Sequence, residues 1–253
     1  MESARFAITT QPDESAFCCA GNHGLIRETN PMPSARKIVI VGAGDHAKVV
    51  VEALTTQAHR FQVVGLVDPD APTGSVMGFP VLGDDGRLPD LRAGGVDAAV
   101  ISVGSNVLRM KLGGKVRAMG FDLPAIIHPS AWVSPSAHIG SGVMVMARAI
   151  VGTLARLEDL VILNSGAIVE HDNRIGSGSH VAPGVTLAGG VLVGQRVLIG
   201  AGCTVCPYVR IGDDAVVGAG SVVVADIPSG VTVCGVPARV TSRKSRELTA
   251  DPE

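Results

Sequence analysis

One hydrophobic position recurs every six residues from Ile127 to Val223, with no insertion in that stretch. All seventeen of these positions are aliphatic. The residue four places after each is Ala, Val, Ser or Cys in fifteen of the seventeen repeats, and the exceptions are Asn173 and Ile227. An uninterrupted internal repeat outweighs local propensity in deciding a fold, so the pattern predicts a coil built from six-residue units.

The geometry of such a coil follows from the length of its unit. Each hexad supplies a short strand and a turn, so three hexads close one triangular coil, with the aliphatic residue inside and the small residue in the corner. Glycine follows the aliphatic residue in seven repeats, where we expect it to relieve backbone strain. Nearly six coils result, a prism roughly 27 Å tall at about 4.8 Å per coil.

The chain before the repeat has a different pattern. Short apolar runs and helical periodicity alternate there, which predicts a parallel sheet with right-handed crossovers. The predicted strands are 37–42, 61–68 and 97–104, the predicted helices are 46–54 and 106–119, and a further strand begins at 124–128.

These patterns predict four segments. They are a disordered leader (1–36), a Rossmann-like α/β domain with a short parallel sheet (37–123), a parallel β-helix domain (124–240) and a C-terminal tail (241–253). The leader is polar and lacks periodicity. A chain that begins at Met32 is therefore expected to fold and to keep full activity.

Composition narrows the function classes. Hydrophobic residues make up 46% of the chain and aromatic residues only 3%, which suits many short strands with small side chains stacked inside. The net charge of −2, without any Lys/Arg block, argues against a nucleic-acid partner. No apolar run approaches the roughly 18 residues of a membrane span, and the N-terminus does not resemble a signal peptide, so we predict a cytoplasmic protein without membrane insertion.

The cysteines do not form an obvious site. Five is an odd number for a disulfide framework, so free thiols are predicted. Cys203 and Cys206 have the spacing of a metal-binding or redox pair. Both fall inside the regular repeat, and no second pair completes a tetrahedral site, so no metal is expected.

A glycine-rich turn ends the first predicted strand. Gly42, Gly44 and Ala47 fit G-x-G-x-x-G/A at the start of a helix, and Asp68 ends the next strand. This combination is typical of dinucleotide binding, in which the pyrophosphate lies at the helix N-terminus. Only one mononucleotide-binding half precedes the β-helix, however. The alternative is a tight strand-to-helix turn that binds no ligand.

Five motifs together resemble one family. They are Ile-Val-Gly-Ala-Gly-Asp-His-Ala-Lys (40–48), His-Pro-Ser-Ala (128–131), Asn-Ser-Gly-Ala-Ile-Val-Glu-His-Asp (164–172), Gly-Ser-His-Val (178–181) and Gly-Val-Pro-Ala (235–238). The chain over residues 37–240 is similar to the sugar acyltransferases that include UDP-4-amino-sugar and perosamine N-acetyltransferases and sialic acid O-acetyltransferases. The resemblance implies a left-handed β-helix, acetyl-CoA as co-substrate, and a homotrimer with active sites between subunits.

The resemblance also implies a catalytic pair, in which His171 is the general base and Asp172 orients it. Acyl transfer to an amine needs such a base, and a neutral imidazole suits pH 7. Adjacent strand residues point to opposite faces, so contact between the two side chains requires a bend. Asn173 follows them as the only amide in the small internal position of the repeat. The alternative is two solvated polar residues.

The remaining implied contacts concern the two substrates. Those for acetyl-CoA are His180 near the thioester, the Gly189 N–H on the acetyl carbonyl, and a track along Ala201, Ala219, Val236 and Pro237. Those for the nucleotide-sugar are Gly44, Asp45, His46 and Asp68. Most relatives carry glycine where this chain has Asp45, and a plain turn is the alternative for Gly189.

Several functions stay open at this point. We favour N-acetylation of a nucleotide-linked 4-amino-4,6-dideoxy sugar, with GDP-perosamine first, for surface polysaccharide (lipopolysaccharide O-antigen) synthesis. The alternatives are a UDP-4-amino-sugar N-acetyltransferase, a sialic acid O-acetyltransferase, a zinc carbonic anhydrase on the same β-helix, and a non-catalytic scaffold. The anhydrase would need three converging histidine ligands, and the scaffold would have no use for His171, Asp172 and His180.

Overall fold

The computed structural model describes residues 35–70 and 74–244, which belong to one compact unit spanning 34–253. Almost all of the predicted leader and most of the predicted tail lie outside these residues, and the domain boundaries stay a prediction. In chain order, the described part is an α/β region followed by a parallel β-helix, which confirms the predicted fold class.

The α/β region contains a three-stranded parallel sheet with its first strand in the centre. The elements are β1 (Arg36–Val41), α1 (Asp45–Thr55), β2 (Phe61–Val67), β3 (Ser75–Val76), β4 (Phe79–Pro80), a 3₁₀ turn (Asp85–Arg87), α2 (Leu88–Ala93), β5 (Ala98–Ile101) and α3 (Asn106–Ala118). The β3–β4 hairpin and α2 were not predicted, because such short elements carry too little periodicity. None of the helices described has the length and apolar character that a membrane crossing requires.

The β-helix begins with seventeen two-residue strands, β6–β22, that start every six residues and form three faces. The first face contains Trp132–Val133, Ile150–Val151, Ile168–Val169, Thr186–Leu187, Thr204–Val205 and Val222–Val223. The second contains His138–Ile139, Arg156–Leu157, Arg174–Ile175, Leu192–Val193 and Arg210–Ile211. The third contains Ile126–Ile127, Met144–Val145, Ile162–Leu163, His180–Val181, Leu198–Ile199 and Val216–Val217, and it continues into β23 (Val231–Cys234) and the antiparallel β24 (Arg239–Lys244).

Each coil contains eighteen residues, so each strand from β6 to β19 pairs in parallel with the strand eighteen residues later, as Ile150 does with Ile168. The second residue of each strand is the predicted aliphatic position. From Val145 to Val223 these residues are at most 5% exposed and form one continuous core with the small corner residues. Burial of each Val or Leu contributes about 1.5–3 kcal/mol, so stacking of coils is the main source of stability.

Two kinds of position in the repeat favour glycine, for different reasons. Fourteen successive turns, from Gly142 to Gly220, place a residue with φ between +53° and +71° at the same point of the hexad. The glycines that follow the aliphatic residues are different, because none of them is left-handed. A Cβ at Gly152 would lie 2.6 Å from the backbone of Glu170 in the next coil. The predicted relief of backbone strain at these glycines is therefore wrong, since close approach between coils explains them.

The third face of the prism packs against the α/β region. Ile126, Met144 and Ile162 point out of the prism, yet they are almost fully buried in a cluster with Val50 and Leu54 of α1. This cluster joins the two regions through a shared apolar core, and it explains why these three outward positions are Ile or Met.

Candidate active site

The His171–Asp172 pair lies on a turn at the corner between the first and second faces. Asp172 occupies the left-handed position of that turn, with φ +60°. Because the two residues are in a turn and not in a strand, their side chains can meet, and His171 Nδ1 lies 2.8 Å from Asp172 Oδ2. Both side chains are more than half exposed. The contact leaves Nε2 as the ring nitrogen that can face a substrate.

Gly189 lies one coil further along the same corner. The Gly190 N–H donates to the His171 carbonyl over 2.9 Å, which fixes the two turns against each other. A Cβ at Gly189 would lie 2.5 Å from both Cε1 and Nε2 of the imidazole, so the ring rests on this glycine. Among the described residues, the Gly189 N–H has no backbone acceptor. The corner thus combines a histidine–carboxylate pair with an unused amide donor.

Tyr208 completes this column of turns and was missed by sequence analysis. Its side chain is exposed, it has φ +62°, and its ring covers Gly190. Left-handed backbone costs a non-glycine residue about 1–2 kcal/mol. The place of Tyr208 in the repeat could have identified this residue, because within the described chain Tyr208 is the only aromatic residue in a left-handed position.

His180 lies on the third face, on the opposite side of the prism from the His171 corner. Its Nε2 is 3.1 Å from Asn164 Nδ2, and its ring centroid is 6.5 Å from that of His46 on α1. Burial, followed by the charge of Arg109, lowers the pKa of His46 to about 4 and that of His180 to about 3. Both imidazoles are therefore neutral at pH 7. Within one chain, the structure brings His180 together with His46 and not with His171.

Arg109 of α3 is fully buried between the α/β region and the β-helix. It donates to the carbonyls of Val103 and Gly104 at 3.0 and 2.9 Å, and across the boundary to those of Leu160 and Gly178 at 2.9 and 2.7 Å. Burial lowers its pKa to about 9, so the guanidinium stays charged at pH 7. Sequence analysis missed it, and an arginine among apolar residues of an amphipathic helix was the available signal.

The glycine-rich turn is tied to the end of β2. Both oxygens of Asp68 accept backbone N–H groups, from Ala43 at 2.6 Å and from Asp70 at 2.9 Å. Asp45 is exposed and pairs with Lys48 at 2.6 Å, which lowers the pKa of its carboxyl group. Gly44 caps α1 without a side-chain bond, so the first N–H groups of the helix are open to an anion.

The implied coenzyme track lies along another edge. Ala201 and Ala219 are exposed in consecutive coils at the corner between the third and first faces, and Val236 and Pro237 are exposed beyond them. The residues assigned to acetyl-CoA thus occupy two corners and one face of a single prism. They do not converge on one point within the chain.

The three cysteines that the structure describes do not assemble into a cluster. Cys203 is buried, Cys206 half-buried and Cys234 exposed, all three as free thiols, whereas Cys18 and Cys19 lie outside the described residues. Within the described ranges, no three His, Cys, Asp or Glu side chains are grouped as metal ligands would be.

Comparison with known proteins identifies the family. Residues 37–116 match the PglD N-terminal domain, and residues 190–225 match the bacterial transferase hexapeptide (six repeats). PerB from Caulobacter crescentus, solved with CoA and GDP-perosamine, is 47% identical over 81% of this chain and 97% of its own, with a TM-score of 0.78. The chain belongs to the hexapeptide-repeat sugar N-acetyltransferases.

Two further members of that family agree. The acetyltransferase domain of PglB from Neisseria gonorrhoeae FA1090, solved with acetyl coenzyme A, is 39% identical over 82% of this chain and all of that chain, with a TM-score of 0.78. The GDP-perosamine N-acetyltransferase of Escherichia coli O157:H7 is 28% identical over 222 residues, 83% of this chain and 98% of that protein. As an acetyl-CoA-dependent sugar N-acetyltransferase, the chain needs a base for an amine and a site for a thioester.

Proposed function

We propose that this N-acetyltransferase moves the acetyl group of acetyl-CoA to the 4-amino group of GDP-perosamine, in surface polysaccharide (O-antigen) synthesis. The observation that carries the proposal is the 47% identity to PerB, which binds CoA and GDP-perosamine, over 97% of that chain. The glycine-rich turn supports it, because a nucleotide diphosphate suits the open N-terminus of α1, whereas free sialic acid would leave it unused.

His171 would act as the general base. Its Nε2 accepts a proton from the sugar amine as nitrogen attacks the thioester carbonyl, and Asp172 on Nδ1 holds the tautomer and stabilises the imidazolium. When the tetrahedral intermediate collapses, the carbon–sulfur bond breaks and the thiolate of CoA leaves. The imidazolium then returns its proton to sulfur, so the pair ends in its starting state.

The Gly189 N–H would stabilise the charge that develops on the acetyl oxygen. The amide lies on the same corner as the imidazole and donates to no backbone carbonyl among the described residues. A preorganised donor of this kind typically contributes about 2.7–4 kcal/mol to the transition state.

The nucleotide would be held by the α/β region. Gly44, Asp45 and His46 line the start of α1, where the diphosphate would meet the open N–H groups. Because backbone amides already occupy both oxygens of Asp68, the exposed carboxylate of Asp70 is better placed to accept from the N1–H and amino group of guanine. Asp68 would then act by holding the turn in shape.

A homotrimer would unite the separate parts of the site. His171 and His180 lie on opposite sides of one prism, so a single acetyl-CoA can meet both only where two subunits face each other. A cyclic trimer places such a cleft between each pair of prisms. Light scattering is expected to give three times the 25.8 kDa chain mass, and a monomer at working concentration would contradict the shared site.

The substrate assignment is tested by kcat/KM with acetyl-CoA and a panel of acceptors. We expect GDP-perosamine to exceed UDP-4-amino-4,6-dideoxy sugars by about tenfold or more, a difference of about 1.4 kcal/mol in transition-state binding. A tenfold preference for the UDP sugar would reject GDP but keep the N-acetyltransferase class. Transfer only to hydroxyl groups of sialic acid would reject both.

A further inference from the structure

Asn173 interrupts the apolar interior of the prism directly below the candidate site. It occupies the corner position that is Ala, Val, Ser or Cys in fifteen of the seventeen hexads, and its side chain has no exposed surface. Its Nδ2 donates to the Glu170 carbonyl at 2.8 Å and to the Ala188 carbonyl at 2.9 Å. The Oδ1 atom has no partner among the described residues.

Two other polar residues in this corner position, Ser179 and Cys203, make one kind of bond, whereas Ser221 donates to the Gly218 carbonyl of its own turn at 2.6 Å. Ser179 donates to the carbonyl fifteen residues later, Gly194, at 2.8 Å, and Cys203 donates to that of Gly218 at 3.0 Å. Each bond ties one turn to the turn of the next coil. Asn173 makes the same fifteen-residue bond to Ala188, and because an amide has two N–H groups it also holds its own turn through Glu170.

The two carbonyls that Asn173 joins each precede a residue of the proposed reaction. Glu170 is followed by His171, and Ala188 is followed by Gly189. We propose that Asn173 is a positioning residue that holds the general base and the oxyanion donor at a fixed separation. The proposal rests on the function proposed above and adds a residue that does not touch substrate.

Stability alone does not account for an amide at this position. A buried carbonyl oxygen without a partner is unfavourable, and Ala or Val fills the equivalent position of most other repeats without that penalty. The gain from Asn173 is geometric, because the imidazole rests on Gly189 and any drift between the two turns would move Nε2 relative to the amide donor.

The test compares Asn173→Ala, Asn173→Ser and Ser179→Ala in the full chain. Asn173→Ala should lower kcat about 10- to 100-fold, the effect of a misplacement of about 1 Å, while KM for acetyl-CoA stays within about twofold. Asn173→Ser should recover part of kcat, since serine makes the fifteen-residue bond at Ser179. Ser179→Ala removes the fifteen-residue bond at another corner together with the acceptor of the Val197 N–H, so it should lower the melting temperature at least as much as Asn173→Ala but keep the kcat of the unmodified enzyme.

Two outcomes in these assays would overturn the proposal: full kcat in Asn173→Ala, or an equal loss in Ser179→Ala. If the unmodified enzyme acetylates no nucleotide-linked amino sugar, the proposed function fails and crystal structures decide the role of Asn173. A shift of the His171 ring relative to Gly189 by about 0.5 Å or more in Asn173→Ala would support the positioning role of Asn173, because productive sites are held within that tolerance. An unchanged separation would overturn it.

Discussion

Two histidines of the same coil lie nine residues apart and have opposite surroundings. His171 stands on an exposed corner beside a carboxylate at 2.8 Å. His180 is covered by the α/β region, with Arg109 and His46 as its charged and titratable neighbours, and its pKa is lowered to about 3. The covered face therefore keeps its imidazole neutral at pH 7, whereas the corner leaves its imidazole open to solvent beside a carboxylate.

The two histidines show how a corner and a face of the same repeat give an imidazole different properties. A corner residue can point its side chain along the turn towards its neighbour, which a strand residue cannot do. The third face is available for packing, and the α/β region that covers it desolvates whatever histidine lies there. The base is therefore expected at the corner, and a hydrogen-bonding histidine that stays neutral is expected on the face.

The largest effect on turnover is expected when the imidazole at the corner is removed. His171→Asn should lower kcat about 10²- to 10⁴-fold, the usual contribution of a positioned base, while acetyl-CoA still binds. His138→Asn, an exposed histidine on the second face, is the matched control and should keep full turnover. Steady-state kinetics and coenzyme binding by calorimetry measure both, and activity within a few-fold of the unmodified enzyme would remove His171 from the mechanism.

Gly189→Ala tests whether the corner geometry is as tight as the structure shows. The added Cβ would meet Cε1 and Nε2 of His171 at 2.5 Å and push the ring away, so kcat should fall about 100-fold. Gly114→Ala in α3, where a Cβ meets nothing within 4 Å, is the control and should have no effect. Normal turnover by Gly189→Ala would show that the ring does not rest on this glycine during catalysis.

Asp172→Asn tests whether the negative charge of the carboxylate contributes to catalysis. Because the pair is more than half exposed and screened by water, we expect a loss of kcat of about 10- to 100-fold, smaller than that of His171→Asn. Asparagine tolerates the left-handed backbone, so the turn is retained. Asp172→Glu keeps the charge and should retain more activity than Asp172→Asn. Full activity in Asp172→Asn together with a loss in Asp172→Glu would assign the residue to turn geometry and not to charge.

The two buried histidines should make the free energy of unfolding depend on pH. The pKa values of His46 and His180 in the folded chain lie below the ordinary value of 6.5, so the unfolded chain binds more protons as pH falls. The free energy of unfolding should decrease from about pH 6.5 towards pH 4, by up to about 1.4 kcal/mol per pH unit for each histidine. Urea denaturation at pH 7 and pH 5 measures it.

His180→Asn should reduce that decrease by roughly half, because one of the two proton-binding sites is removed. His138→Asn should leave it unchanged, since that histidine is exposed. A pH dependence equal in His180→Asn and the unmodified chain would show that the covered face does not hold its histidine neutral.

Much of the fold and part of the candidate site follow from local patterns. The hexad period located all seventeen strands of the regular coil, since each inward position must be aliphatic. The adjacent pair His171–Asp172 and the single amide at Asn173 stand out against that period. The β3–β4 hairpin was not predictable because two residues show no alternation, and Arg109 was missed because most of its partners are backbone carbonyls, which any sequence contains.

The sequence by itself determined the coil, because a strict six-residue period has few ways to bury its aliphatic residues. Only the tertiary structure decided how the parts combine. The left-handed φ of Asp172 allows the contact with His171. The packing of α1 on the third face, and of α3 on the adjoining corner, buries His180 beside Arg109. Stacking of coils places Gly189 under the imidazole. The burial of His180 and the position of Gly189 depend on residues eighteen or more positions apart, whose approach is set by coil closure and by the shared core.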